Sequence, residues 1–235
     1  MRMVTATTTA MSTEGLAWLR LLQLVSPSLP IGGFAYSQGL EWAAETGWVK
    51  DADGLADWLD GLLATSLARV DLPVLARLYD ACEAKDTERL ADWAQVLLAS
   101  RETAELRAEE RNRARALTTL LPSLAVPVAE GWRPGLETCQ AAGFALAAAA
   151  WQIALRDAAL GYAWSWLENL VLAGIKIIPL GQTAGQQVLY RLAARVPDAV
   201  DQGLTLEDDA IGASATALAV ASCRHETQYT RIFRS

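Results

Sequence analysis

The sequence has little of the chemistry that metal sites need. Its 235 residues include a single histidine, His225, and three widely separated cysteines, Cys82, Cys139 and Cys223. No CxxC pair is present, which argues against a zinc site or a disulfide framework and suits a reducing compartment. Cys223 and His225 have no further Cys or His nearby, so we interpret His225 as a surface residue of a terminal tail. The sequence therefore predicts no metal site and no cofactor.

Catalytic motifs are missing as well. There is no GxSxG nucleophile elbow, and the stretch KIIPLGQTAGQQ is not a Walker motif because Lys176 precedes its glycines. The acidic pair Asp208 and Asp209 is explained by its place at the start of a predicted helix. We predict that the protein is not an enzyme. A small helical hydrolase with a hidden acid–base pair stays open as an alternative.

Charge and hydropathy exclude two further classes of protein. A formal net charge of −7 is unsuited to neutralising phosphates, so nucleic acid is not an expected partner. Of the two most apolar runs, 141–155 is too short for a membrane span, and 158–175 is interrupted by Glu168 and Asn169. The N-terminal residues lack the apolar core of a signal peptide, and we predict that 1–13 form a disordered lead-in of a cytoplasmic protein.

Apolar residues recur at spacings of three and four along most of the chain, and no strand-like alternation persists. We therefore predict an all-α fold, a single-domain bundle of about ten helices over residues 14–223 with a mobile N-terminus and a C-terminal tail, 224–235. The first helix should end at Ser26-Pro27. Further predicted helices span 36–46, 136–156 and 206–222, and Asp71, just before Pro73, is placed as a helix start.

The segment 100–121 is rich in Glu and Arg and has few strong apolar anchors. Glu109 and Arg113 lie four residues apart, a spacing that favours an exposed helix with modest ion-pair support. We interpret this helix as solvent-facing, and a contact surface for a partner is the alternative.

Two segments between helices are more specific than a simple turn requires. In SPSLPIGGFAYSQGLEW and PLGQ, the residues that shape the backbone are Pro27, Pro30, Gly32, Gly39, Pro179 and Gly181. Proline fixes φ and removes a donor, and glycine permits conformations that a Cβ forbids. Pro179 should end a helix and Gly181 should permit the bend. Lys176, in an otherwise apolar run, has no structural explanation at this level.

The last residues, RHETQYTRIFRS, mix arginine with aromatic and aliphatic side chains. That composition is typical of protein interfaces, since Arg and Tyr are enriched at binding hot spots. A tail folded back on its own domain is equally compatible with the composition, and both alternatives stay open.

Three stretches, SPSLPIGGFAYSQGLE, KIIPLGQTAGQ and HETQYTRIFRS, together resemble the UreF family of urease accessory proteins in sequence, order and spacing. The resemblance implies an all-helical, cytoplasmic, homodimeric maturation factor without catalytic activity. Such a protein binds the accessory protein UreD, also called UreH, and recruits the GTPase UreG to the urease apoprotein, so that nickel reaches the urease active site. Activation of the GTPase and a fidelity checkpoint both fit the resemblance. A helical interaction scaffold unrelated to urease is the alternative function.

The resemblance also implies partner-binding residues in each stretch. They are Phe34, Tyr36, Ser37, Gln38 and Glu41 in the first, Lys176 and Gln182 in the second, and Arg231, Phe233, Arg234 and Ser235 in the third. The first group would form a fixed constellation at a protein interface, with structural packing as the competing role. The second group would lie on or near the face that receives UreG, and the tail would become ordered against UreD.

Overall fold

The structure is a computed structural model that describes residues 5–235, with side chains described from residue 14 onward. Its helices are α1 (Thr5–Val25), α2 (Leu40–Glu45), α3 (Ala52–Leu62), α4 (Leu72–Ala84), α5 (Thr87–Ala99), α6 (Ala104–Leu120), α7 (Arg133–Leu136), α8 (Gln140–Ala150), α9 (Leu155–Ile177), α10 (Gln182–Ala193), α11 (Val196–Leu204) and α12 (Thr216–His225). A π-helical segment spans Leu63–Asp71, and 3-10 turns span Gly33–Ala35, Leu121–Leu124, Glu130–Trp132 and Asp208–Ala210. Residues 5–235 contain no β-strand, so the all-α prediction is confirmed.

Helix α4 lies at the centre of the bundle and packs against α5, α8, α9 and α11. Its Leu72, Leu75 and Leu78 are fully buried, and each such side chain contributes roughly 1.5–3 kcal/mol of transfer free energy. Alanines along α8 let neighbouring helices approach closely. One contiguous core includes residues from α1 to α12, as expected for a single domain. Among the described helices, none combines the length and the apolar character needed to cross a bilayer.

Helix α1 ends at Val25, ahead of Ser26-Pro27, as the sequence predicts. It begins at Thr5, within the segment 1–13, for which disorder stays a prediction, and residues 1–4 lie outside the described residues. The helix packs on α9 through Leu21 and Val25, which lie against Gly161. Its opposite face stays apolar and exposed, with Leu16, Trp18, Leu19 and Leu22 between 50% and 64% accessible.

Several helix ends follow from side-chain caps. Asp51 and Asp86 cap α3 and α5, because their side chains accept hydrogen bonds from Gly54 N and Arg89 N. The predicted helix start at Asp71 agrees with the beginning of α4 at Leu72, although the Asp71 side chain makes no capping hydrogen bond. Helix α3, the π-helical segment and α4 run on without interruption, and Asp71 is a buried residue inside that rod rather than its cap. Its carboxylate pairs with a buried arginine instead.

Three predicted boundaries also differ from the structure. Helix α2 begins at Leu40 and not at residue 36, because Gln38 and Gly39 both have positive φ. Helix α8 ends at Ala150, before Gln152, which has φ 57°. The predicted helix over 206–222 is instead a 3-10 turn, a non-helical stretch and the first part of α12. In the 3-10 turn, Asp208 Oδ1 lies 2.8 Å from a guanidinium nitrogen of Arg77 in α4. That contact holds the turn against α4.

Candidate protein–protein interaction site

The structure brings the tail segment, 226–235, against the Pro/Gly-rich segment that follows α1. Ser37 N donates to Ser235 O at 2.8 Å, and Arg234 N donates to Ala35 O at 2.8 Å. The Ser37 hydroxyl donates to the same Ser235 carbonyl at 2.6 Å. The tail is therefore folded back on its own domain, and its role as a partner-binding segment stays a prediction.

Two glycines give the receiving segment its shape. Gly32 and Gly39 have φ 75° and 77°, in the left-handed region that favours glycine. A Cβ on Gly39 would also lie 2.8 Å from Ser222 N, so the residue lets α2 approach α12 closely. Pro27 and Pro30 are exposed on the same segment, after the end of α1.

The predicted residues of this segment divide into buried and exposed ones. Tyr36, Ser37 and Glu41 are at most 6% exposed, and Gln38 is half-buried. Phe34, by contrast, is 64% exposed. Only Phe34 of this group therefore presents most of its side chain to solvent.

The Glu41 carboxylate binds the backbone of the tail. Its carboxylate accepts from Ile232 N at 2.6 Å and from Phe233 N at 2.9 Å, and its Oε2 lies 3.2 Å from His225 Nε2. The other ring nitrogen, His225 Nδ1, lies 2.6 Å from Glu105 Oε2. We call Glu41, Glu105 and His225 the carboxylate–histidine cluster.

The interpretation of His225 as a surface residue is wrong. Its side chain is fully buried where α12 packs on α2. Each ring nitrogen lies within hydrogen-bond distance of a carboxylate oxygen, as expected for a buried polar group. Arg231 adds a further link, since its Nη1 lies 2.5 Å from Glu105 Oε1.

The solvent-facing interpretation of α6 is also wrong where it meets the tail. Glu109 is 2% exposed and accepts from Gln38 Nε2 at 3.0 Å, Ser235 Oγ at 2.9 Å and Arg113 Nη1 at 2.9 Å. Trp166 Nε1 donates to Gln38 Oε1 at 3.0 Å, so Gln38 bridges α6 and α9. The docked tail and Gln38 cover this face of α6, and its charges are paired.

A second buried ion cluster lies next to it. Arg101 reaches Asp71 at 2.5 Å and Glu110 at 2.6 Å. Burial alone would lower the pKa of Arg101, but the carboxylates of Asp71 and Glu110 hold that pKa well above its ordinary value. Burial likewise favours a raised pKa for Glu110, yet Arg101 and Arg113 lower it overall. These charges compensate one another, so the cluster is suited to fixing helices in place.

Lys176, near the end of α9 and ahead of the PLGQ bend, contacts the tail. Lys176 Nζ lies 5.7 Å from the centroid of the Phe233 ring, a cation–π distance that gives this lysine a structural role. Helix α9 ends at Ile177, shortly before Pro179. Gly181 precedes α10 with φ −71°, a conformation open to any residue, so the bend does not depend on glycine there. Gln182 is exposed at the start of α10.

Within the tail, buried and exposed residues alternate. Phe233 is 5% exposed and Ser235 is fully buried, whereas Arg231, Ile232 and Arg234 face solvent. The docked tail thus presents two arginines and an isoleucine on its outer side.

Sequence reasoning missed Glu105, Glu109 and His225. Their partners lie far away along the chain, because His225 comes 120 positions after Glu105 and Ser235 comes 126 positions after Glu109, and no local pattern links them. It also missed the exposed apolar face of α1. In the described part of the chain, no three or more His, Cys, Asp or Glu side chains are grouped so that they could hold a metal ion.

The fold and the site define an all-helical protein in which the tail covers a polar surface formed by distant sequence motifs. Comparison with known proteins identifies its class as the urease accessory proteins. The UreF family model matches residues 49–193. "Urease accessory protein UreF" of Pseudomonas putida strain KT2440 is 54% identical over 220 residues, which cover 94% of this chain and 98% of the relative. The protein of the same name from Alcanivorax borkumensis strain SK2 is 52% identical, over 93% of this chain and 98% of the relative. That from Escherichia coli O157:H7 strain EC4115 is 48% identical, over 92% of this chain and 97% of the relative. The chain belongs to the UreF family.

Proposed function

We propose that this chain is a cytoplasmic maturation factor for urease. As a homodimer it binds UreD and recruits the GTPase UreG to the urease apoprotein, so that nickel, the cargo of the process, reaches the urease active site. The observation that carries the proposal is family membership over nearly the whole chain, at 54% identity over 220 residues to a urease accessory protein.

The tail is the proposed contact for UreD. Arg231, Ile232 and Arg234 point outward from the docked tail, and arginine with an apolar neighbour is typical of binding hot spots. Because the tail is already held by Glu41, Ser37 and their neighbours, a partner that binds it as docked loses less ordering entropy than one that binds a free tail. Phe233 and Ser235 then act by positioning the exposed residues.

The proposed face for UreG includes Lys176, Gln182 and Phe34. All three are exposed, and Lys176 contacts the tail through Phe233. A partner on this face and a partner on the tail would therefore contact connected parts of one surface, and each could influence the other's binding.

The test is size-exclusion chromatography with light scattering on the chain alone, with UreD, and with UreD plus GTP-loaded UreG. The proposal expects a dimer that gains UreD and then UreG. The informative variant is Ile232→Ala with Arg234→Ala, which should lose UreD and keep the helical circular dichroism spectrum, because neither side chain holds the tail on its own domain. Arg195→Ala is the matched control, because that exposed arginine pairs with Asp60 on another face and should leave UreD binding unchanged.

A chain that binds neither partner in any of these mixtures would refute the proposed function. A chain that binds UreD normally despite both tail substitutions would refute the tail contact alone. The two failures are thus distinguishable.

A further inference from the structure

Helix α6 carries its acidic and basic side chains on different sides. Its three acids, Glu105, Glu109 and Glu110, are each paired with an arginine, and the side chains of the last two are at most 9% exposed. The exposed positions of the helix are Ala104, Ala108, Arg111, Asn112, Arg115 and Thr119. The solvent face of α6 therefore contains arginine and no acid, although the chain as a whole has a formal net charge of −7.

Three arginines run along this side of the helix. Arg107, Arg111 and Arg115 follow one another at four-residue spacing, so successive members lie about 6 Å apart along the axis and the row is about 12 Å long. Among the residues whose side chains are described, 14–235, none of the three forms an ion pair. Arg107 is half-buried and donates to the Arg101 carbonyl at 2.6 Å, whereas the other two are exposed. We call these three residues the arginine stripe.

An exposed aromatic side chain borders the arginine stripe. Asn112 lies one turn before Arg115, and its Nδ2 donates to the Tyr36 hydroxyl at 3.3 Å, which places the segment after α1 beside α6. Two residues before Tyr36, Phe34 is 64% exposed in the 3-10 turn Gly33–Ala35. Arginine and aromatic side chains are the residues that most often carry the binding energy at protein interfaces.

Charge and spacing together define a ligand that fits this surface. A guanidinium group binds a carboxylate through parallel N–H donors, and this geometry makes arginine a specific partner for acids. In an extended segment, side chains on one face recur every second residue, at about 6.6 Å, close to the spacing of the arginine stripe. Carboxylates at alternate positions of such a segment can therefore reach successive arginines, and an apolar residue beside them can contact Phe34.

We propose that the arginine stripe and Phe34 form a docking surface for an extended acidic segment of a partner protein, with carboxylates at alternate positions and one apolar residue. At physiological salt, screening limits electrostatic attraction to about 8 Å, so the nearby arginines act on the segment more strongly than the distant acids of the chain. This inference concerns the isolated chain and does not rest on the proposed function.

Fluorescence anisotropy with a labelled synthetic peptide tests the docking surface. The probe has glutamate at alternate positions, threonine between them and one phenylalanine, and a second peptide has lysine in place of every glutamate. At about 0.1 M salt, where the Debye length is about 10 Å, we expect saturable binding of the glutamate peptide. The lysine peptide, which the net charge of the chain favours, should bind more weakly. About 1 M salt should weaken the binding of the glutamate peptide, because the Debye length falls to about 3 Å.

Two variants locate the binding. Arg111→Gln with Arg115→Gln should weaken the glutamate peptide by about threefold to thirtyfold, the loss expected from two exposed ion pairs. Phe34→Ala should weaken the same peptide and leave the affinity of a version without phenylalanine unchanged. Arg89→Gln with Arg191→Gln is the matched control, because it removes the same two charges from exposed positions on α5 and α10 and should leave the affinity unchanged.

A glutamate peptide that shows no saturable binding would overturn the proposal, and so would tighter binding of the lysine peptide. The proposal also fails if Arg111→Gln with Arg115→Gln loses no more affinity than the control. Unchanged binding in Phe34→Ala would remove the ring from the docking surface. Glutamine and arginine have similar helix propensities, and circular dichroism of each variant checks that the helices remain folded.

Discussion

Replacing Arg101 by methionine tests whether the buried ion cluster stabilises the fold. The arginine side chain is 12% exposed, and its partners Asp71 and Glu110 are 5% and 9% exposed. Methionine keeps much of the side-chain volume but leaves Asp71 buried without its counter-ion and Glu110 with Arg113 as its remaining cation. Breaking a buried pair in this way costs about 3–5 kcal/mol, far more than the pair contributes over an apolar replacement.

The assay is urea unfolding followed by circular dichroism, with the free energy of unfolding taken from the linear region. Arg156→Met is the matched control, because that arginine is 52% exposed and pairs with Asp201, which is 57% exposed, and solvent-exposed ion pairs add little to stability. Adding Glu110→Gln to Arg101→Met should recover part of the loss, since it removes one excess negative charge. Equal losses in Arg101→Met and Arg156→Met would refute the reasoning.

Two further predictions concern backbone shape and thiol access. Gly39→Ala should lose about 1–3 kcal/mol in the same unfolding assay, because φ is 77° and the new Cβ would meet Ser222 N at 2.8 Å. Gly61→Ala, where a Cβ would meet no atom within 4 Å on an exposed helical position, should be neutral or stabilising, and matching losses in the two would contradict this account. A chromogenic disulfide reagent should modify exposed Cys223 at once, and Cys82 and Cys139 only on unfolding, because burial raises the pKa of Cys82 to about 12 and that of Cys139 further. Rapid modification of more than one thiol in the folded chain would show that the core opens more readily than its packing implies.

The sequence predicts the helical class and many helix ends because both are local properties. Apolar spacing and caps such as Asp51 and Asp86 act within a few residues of one another. Two of the helix boundaries that it misses, the start of α2 and the end of α8, depend on non-glycine residues with positive φ, Gln38 and Gln152, where composition gives no warning. Tertiary contacts hold those residues in a conformation that their types rarely adopt.

The sequence indicates several residues of the candidate site, but not Glu105 and not the arrangement that brings the residues together. A helix with Glu109 and Arg113 at four-residue spacing has the same pattern whether solvent or a docked tail covers it. The cover comes from Ser235, 126 residues away, and from Gln38, 71 residues away. Likewise, a lone histidine near the end of a chain is usually exposed, and only the packing of α12 on α2 makes His225 a buried partner of Glu41.

The π-helical segment makes the rod from α3 to α4 sensitive to length as well as to composition. A π turn takes up more residues than an α turn, so every side chain beyond it is rotated relative to an unbroken α-helix. Inserting a further residue between Leu63 and Asp71 would turn all of α4 by about 100° relative to α3. Leu72, Leu75 and Leu78 would then leave the core together, so this stretch should tolerate insertions poorly.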